Sequence, residues 1–309
     1  MVLAILQGTR FLLTKRGVVM DGIIVVNKEK GYTSHDVVAI VKKIAQEKVG
    51  HTGTLDPNAT GVLPLLIGKA TLISKYLVEH DKIYVATLQL GIKTTTADAE
   101  GAVIQKQTVP LLDKEKVEEV LHRFLGKQIQ TPPVYSAIKV KGKKLYEYAR
   151  SGKEDMVEIP KREIEIYQIT LQEIRQEQKE LVFRVSCSKG TYIRSLCEDI
   201  ANALGTVGYM KELTREKVGR FDLKESIKIT ELQNNPLALQ NHLITIETLF
   251  ANKEKIVLTT KKERLFLNGV KLEIKKPDGV YRIYHENGKW IGLGVVKQNE
   301  LKRDVVIEE

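Results

Sequence analysis

The segment from Gly50 to Gly61, GHTGTLDPNATG, holds one carboxylate, Asp56, one imidazole, His51, and three glycines, and it shows no apolar periodicity. Long polar loops set between apolar elements are where functional groups concentrate. Three chemistries could use these residues. Phosphoryl transfer would want a nucleophilic aspartate ahead of the Thr52-Gly53-Thr54-Leu55 stretch and acids to hold magnesium; Asp56 follows that stretch instead, and Ile23 to Val26 offers only Ile and Val. A metal site could draw on His51, Asp56 and His80, yet nothing pairs them at the spacing that puts two ligands on one helix face. The third is a single carboxylate acting as nucleophile or base in a basic cleft. Asp56-Pro57 is also compatible with an ordinary turn, so the loop alone leaves all of these open.

Such a loop needs rigid neighbours. Ile23 to Val26 is a β-branched run that reads as a buried strand, followed by turn residues from Asn27 to Tyr32. Thr33 and Ser34 are candidate N-caps for a helix whose apolar face carries Val37, Ile40, Val41 and Ile44. Ala70 to Leu77 reads as a further helix, and Ile83 to Gly91 as a strand with Tyr84, Ala86, Leu88 and Leu90 on one face. Val117, Val120, Leu121 and Phe124 mark an amphipathic helix ended by Gly126. Leu181, Phe183, Val185 and Cys187 alternate as a strand that leads through Ser188 to Thr191 into a helix carrying Ile193, Leu196, Cys197, Ile200 and Leu204, stopped by Gly205. The polar stretch Gln233 to Gln240 weakens the pattern, and a boundary is placed near residue 250. Beyond it, Val280 to Tyr284 and Trp290 to Val296 flank Asn287-Gly288, a hairpin signal. Together these predict an α+β fold: a mixed, mostly antiparallel sheet with flanking helices over residues 20–250, then a small β-rich domain over 251–309.

The chain has 309 residues, 42% of them hydrophobic and 28% charged, which suits a globular protein with a sizeable core and excludes a disordered tail. Lys and Arg number 49 against 39 Asp and Glu, a formal charge of +10. The surface is therefore attracted to polyanions, nucleic acid or an acidic membrane leaflet. Lys139 to Lys153 concentrates six basic residues against Glu147, with Tyr146 and Tyr148 interleaved, and fits either a phosphate-contacting patch or a solvated face. Cys187 and Cys197 are the only cysteines, too few for a disulfide framework or a four-thiolate zinc site, and a reducing cytoplasm is expected. No apolar run has the roughly 18 residues of a membrane span. Residues 1–19 carry Arg10, Lys15 and Arg16 and no acid, but their apolar stretches are too short for a signal core; they read as a dispensable extension.

Residues 50–71, GHTGTLDPNATGVLPLLIGKAT, resemble the signature of the bacterial TruB-type pseudouridine synthases, which act on uridine-55 in the T loop of tRNA. The resemblance continues in order through Asp21-Gly22, Asn27-Lys28 and Gly31, Asp81 to Tyr84, Thr94 to Asp98, Pro132 to Ala137, Gly142 to Arg150, and Cys187 to Arg194, covering about Met20 to Phe221. Asn27 and Glu29 depart from it, standing where the family commonly shows Asp and Pro. Gly279 to Arg282 and Trp290 to Gly294 are similar to a PUA domain, an RNA-binding module.

The resemblance implies roles that single residues do not show, since Tyr84 alone reads as a core tyrosine and Arg194 as a solvated charge. It implies that Asp56 is the catalytic aspartate, that Tyr84 stacks on the target base and is placed to act as base, and that Arg194 pairs with Asp56. Tyr192 and Leu213 would line the base pocket, His51 would fill the gap left when the target flips, and Lys28 and Lys189 would orient the loop or phosphates. An arginine beside a carboxylate favours the charged form, and a cation such as Arg194 near Tyr84 would favour its phenolate. Converting uridine to pseudouridine involves no redox change and no added atoms, so no cofactor and no metal are expected. The expected partner is the T arm of tRNA, bound by a monomer without guide RNA or membrane. The rival readings are a related synthase acting on another RNA, guided or not, and a non-catalytic RNA-binding or RNA-chaperone protein on the same fold.

Overall fold

The structure, a computed structural model, describes residues 2–6, 9–14, 17–78, 80–153 and 156–307, with residues up to 19 described as backbone only. Its centre is an eleven-stranded sheet. The main path runs Gly126–Gln130, Arg162–Arg175, Glu180–Cys187, Lys82–Leu90, Gly208–Val218, Thr60–Ile67, Gly22–Lys28 and Ile227–Lys228. Neighbours are antiparallel except at two joins, Thr60–Ile67 with Gly208–Val218, and Gly22–Lys28 with Ile227–Lys228. The first join is short, pairing only Thr214 with Thr60 and Arg215 with Gly61, and the loop bearing Asp56 enters the sheet there.

The alternation seen in sequence becomes burial. Tyr84, Ala86, Leu88 and Leu90 all face the main apolar core, where they meet Leu181, Phe183, Val185 and Cys187 of the neighbouring strand. Helix Ser34–Ala45 starts at Thr33, whose side chain and Asp36 form a reciprocal capping box, and it buries Val37, Val41 and Ala45. Helix Ile193–Ala203 buries Ile193, Leu196, Cys197 and Ile200 against the same core.

Several elements differ from the sequence reading. Gly68–Tyr76 is a 3-10 helix rather than an α-helix. Helix Lys114–His122 stops before Phe124, and Gly126, at φ 87°, opens a strand instead of capping the helix. Residues 1–19 contain three strands, Val2–Leu6, Thr9–Thr14 and Gly17–Val19, that pair with one another. The basic segment folds as a two-stranded hairpin, Lys139–Val140 with Lys143–Lys144, and a short helix, Leu145–Arg150.

From Lys255 the chain builds a second sheet of five strands, in which Gly279–His285 and Trp290–Lys297 form the hairpin anticipated at Asn287-Gly288. It is packed on the main body. Leu293 and Val305 share an apolar cluster with Ile23, Val25, Val62 and Phe221. Asp304 adds polar ties, pairing with Lys75 and accepting a 2.5 Å hydrogen bond from the Tyr76 hydroxyl. Among the described residues no helix is long and apolar enough to cross a membrane.

Candidate active site

The loop between strands Val49–His51 and Thr60–Ile67 is held at nearly every step by groups from outside it. Leu55 is gripped by the Ser34 hydroxyl, which accepts from its amide at 2.9 Å and donates to its carbonyl at 3.1 Å. Pro57 offers its carbonyl to the Lys28 ammonium and to the Gly31 amide, both at 3.0 Å. Gly53, Thr54 and Val62 give their carbonyls to the Arg215 guanidinium. Asp56 sits between these anchors, its carbonyl accepting from the Ala59 amide at 3.1 Å, so its carboxylate is presented from a fixed turn.

That carboxylate is 38% exposed and meets Arg194, whose Nε lies 3.2 Å from Oδ2. Arg194 comes from the first turn of helix Ile193–Ala203 and is itself largely buried. Its other nitrogens are engaged as well: Nη1 bonds the Thr96 carbonyl at 3.2 Å, Nη2 bonds the Tyr135 carbonyl at 3.0 Å, and Nη1 also stands 3.5 Å from Asp98 Oδ2. Asp98 in turn accepts from the Thr96 hydroxyl and from the Glu100 amide. The result is a cation shared by two carboxylates, one buried and one open to solvent. Asp56, Asp98, Met210 and Leu213 line one small crevice, and Leu213 is the paired neighbour of Ala86. Thr96 and Tyr135 also line a cleft of about 420 Å³.

Tyr84 lies in the core-facing row of strand Lys82–Leu90 and is 8% exposed. Burial pushes its hydroxyl above the usual tyrosine range, while the charge of Arg215, its direct partner on the neighbouring strand, pulls the other way. The cation at Tyr84 is thus Arg215, not Arg194 as the sequence suggested. Lys28 is fully buried, with its ammonium donating to the carbonyls of Glu29, Tyr32 and Pro57, and burial brings its pKa down to about 8 against the opposing pull of Asp56. The neighbouring Glu29, a departure from the family pattern, accepts from the Thr230 amide and hydroxyl at 3.0 and 3.2 Å, which anchors that turn from a different element.

His51 sets its ring edge-on to His35 at 5.9 Å, and burial first, then His35 and Arg215, lowers its pKa. Its Nδ1 and the Thr52 hydroxyl are buried without a hydrogen-bond partner. Tyr192 is the N-cap residue of the Arg194 helix and packs against Ile138, Leu145 and Val157, beneath the basic segment. Lys189 is exposed in the turn that precedes this helix. The structure therefore gathers Asp56, Arg194, Tyr84, Leu213 and Lys28 around one loop, sets His51 at its start, and leaves Lys189 on the surface. Among the described residues no three His, Cys, Asp or Glu side chains converge to hold a metal ion.

Two members of this constellation were missed in sequence, Asp98 and Arg215. Asp98 stood in a quoted motif as one polar residue among threonines, and Arg215 lies in a strand, KELTREKV, that belongs to no motif quoted from the sequence.

The fold, over nearly the whole chain, is shared with solved structures. A Cbf5-Nop10-Gar1 complex aligns over 94% of this chain and 84% of that one, with a TM-score of 0.64 and 27% identity. An H/ACA RNP bound to a substrate RNA containing 2′-deoxyuridine aligns over 94% and 86%, with a TM-score of 0.66 and 24% identity, a likeness of fold. Fold and sequence together define a pseudouridine synthase, an isomerase. Residues 41–193 match the N-terminal domain of the TruB family pseudouridylate synthases, and residues 194–251 match the tRNA pseudouridylate synthase B C-terminal domain. Similar curated proteins include the tRNA pseudouridine synthase B of Clostridium kluyveri, 43% identical over 92% of this chain and 98% of its own. That of Clostridium perfringens is 42% identical over 94% and 100%. The chain belongs to the TruB family.

Proposed function

We propose that this protein converts uridine-55 in the T loop of tRNA to pseudouridine, with Asp56 as the reacting carboxylate and no guide RNA. The observation that carries the reading is Asp56 itself: it is the carboxylate of the motif loop, it is open to a ligand, and one oxygen is held by a buried arginine. The names of the curated relatives supply the tRNA substrate.

The reaction breaks the N1 to C1′ bond, turns the uracil, joins C5 to C1′, removes the C5 proton and returns a proton to N1. An ionised carboxylate can begin it by attacking C1′ or C6, or by taking the 2′ proton. Arg194 holds the carboxylate in place for either start. The target must first leave its stack, at a cost on the order of a few kcal/mol that stacking and base-edge hydrogen bonds recover. Tyr84 and Leu213 offer the apolar walls, and His51, at the start of the Asp56 loop, is placed to fill the gap that the flipped base leaves. The basic hairpin and helix from Lys139 to Arg150, and the five-stranded unit over 251–309 read as a PUA-like module, supply positive charge for the backbone of a monomer's substrate.

The test is a T-arm stem-loop incubated with the protein alone and mapped for pseudouridine. The expected outcome is modification at position 55, abolished by Asp56→Asn with RNA affinity kept within a few-fold. Modification at another position, a requirement for a guide, or turnover by Asp56→Asn above a trace of the parent rate would overturn the reading.

A further inference from the structure

We infer that Arg215 is a positioning residue for this reaction: it locks the two ends of the Asp56 loop together and ties them to the strand position of Tyr84. Arg215 is 2% exposed and is among the largest fully buried side chains of the protein. A guanidinium taken out of water persists only where its donors are filled. Here they go to main-chain carbonyls. Nε bonds Val62 at 2.8 Å, Nη2 bonds Gly53 at 3.1 Å and Nη1 bonds Thr54 at 3.3 Å, so one planar group grips the loop both before and after Asp56.

The backbone of Arg215 holds the same loop again. In the short parallel join Arg215 pairs with Gly61, whose φ is +106°, and a Cβ at Gly61 would fall 2.2 Å from the Arg215 carbonyl oxygen and 2.8 Å from its nitrogen. Only glycine permits that approach. On its other side Arg215 is the direct antiparallel partner of Tyr84. It therefore occupies the middle rung of Tyr84, Arg215 and Gly61, the point where the sheet changes from antiparallel to parallel pairing. A register shift between Arg215 and Lys217 follows at once, the kind of irregularity that re-aims a side chain beside an active site. A shift at Arg215 would displace Asp56 and Tyr84 together, although it touches neither the Asp56 carboxylate nor the small crevice lined by Asp56, Asp98 and Leu213.

This inference rests on Asp56 being the reacting carboxylate. The experiment compares parent, Asp56→Asn, Arg215→Lys, Tyr84→Phe and the Arg215→Lys/Tyr84→Phe double variant in the full chain. Melting temperature, T-arm affinity and single-turnover rate are measured for each. Lysine keeps the charge but cannot reproduce the planar fork that spans three carbonyls. Arg215→Lys should stay folded and bind RNA within about threefold of the parent, while its rate falls by about 10- to 100-fold, the scale of a misplaced reacting group. The double variant should lose less than the product of the two single losses, because part of the Arg215→Lys loss is a misplaced Tyr84, its paired neighbour across the strands, and that part vanishes once the hydroxyl is gone.

A folded Arg215→Lys with parent-like rate would overturn the inference, as would fully multiplicative losses. Failure of Arg215→Lys to fold would place Arg215 in fold stability alone and overturn it equally. Should Asp56→Asn keep parent turnover, the underlying reading falls; an inert Asp56→Asn beside a fully active Arg215→Lys removes only the role given to Arg215.

Discussion

Arg194 and Asp98 stand 3.5 Å apart, Nη1 to Oδ2, behind the solvent-facing carboxylate of Asp56. Asp98 thereby takes part of the positive charge that would otherwise fall on Asp56 alone. A cation bound to a single carboxylate holds it more tightly and blunts it as a nucleophile or base.

Asp98→Asn should therefore slow the single-turnover step by about 10- to 100-fold, the scale of one lost electrostatic contact to a reacting group. T-arm affinity should stay within a few-fold, because Asp98 is buried beneath the site. Arg194→Lys should cost more, since a lysine cannot serve Asp56, Asp98 and the carbonyls of Thr96 and Tyr135 at once. Rapid-quench measurement with excess enzyme reads both, and a parent-like rate for Asp98→Asn would leave Asp98 a structural brace only.

The split between what was legible and what was not follows the range of the interactions. Strand Lys82–Leu90 and helix Ile193–Ala203 were legible because their apolar residues repeat at periods 2 and 3.6, and local periodicity survives folding. Asp56 was legible because its loop is a contiguous motif. Arg215 was not, since its meaning comes from the parallel join with Gly61, formed between strands far apart in sequence. Ser34 shows the same limit: read as an N-cap candidate, it instead clamps Leu55, 21 residues away, while Thr33 takes the cap. Gly68–Tyr76 has apolar residues at a spacing that both α and 3-10 turns accept, and only the hydrogen bonds decide.

Tyr84→Phe keeps the ring and removes the hydroxyl. Stacking needs only the π face and is worth roughly 1 to 3 kcal/mol, so T-arm binding should remain near the parent value. Turnover should fall by about 100-fold or more if the hydroxyl removes the C5 proton. Burial raises the Tyr84 pKa, so the phenolate is scarce at neutral pH and grows as pH rises. The parent rate should climb with pH through the neutral and mildly alkaline range, and Tyr84→Phe should lose that climb. Near-parent turnover in Tyr84→Phe would assign the proton to another residue or a water.

Lys28 gives a stability signature. Its folded-state pKa of about 8 lies below the ordinary value of 10.5, so between these two the folded protein binds fewer protons than the unfolded chain. Stability rises with pH wherever the unfolded state binds more protons. The contribution of Lys28 is thus fully present above 10.5 and lost as pH falls through about 8. Urea midpoints of the parent and Lys28→Met, compared from neutral pH upward, should differ by a constant amount below about 8 and then shift in the parent's favour up to 10.5. A difference that stays flat across that window would mean that Lys28 titrates normally.

The five-stranded unit can be tested for RNA contact only by substitutions that leave its packing intact. Cutting the chain at residue 251 would strip Leu293 and Val305 from the cluster they share with Ile23, Val25 and Val62, mixing lost stability with lost binding. Helix Thr260–Leu267 offers a cleaner handle, since Lys261, Lys262 and Arg264 are all exposed on it. Replacing all three by glutamine keeps helix propensity and removes three charges. A module that lies on the tRNA beyond the T arm can form phosphate contacts only where that extra RNA exists, and each contact steepens the logarithmic salt dependence by about 0.7 to 0.9. The triple variant should therefore bind full-length tRNA more weakly and with a shallower salt slope, while its affinity and slope on an isolated T-arm stem-loop match the parent. Equal losses on the two RNAs would show that this helix acts through general charge, and an unchanged slope on tRNA would show that it faces away from the substrate.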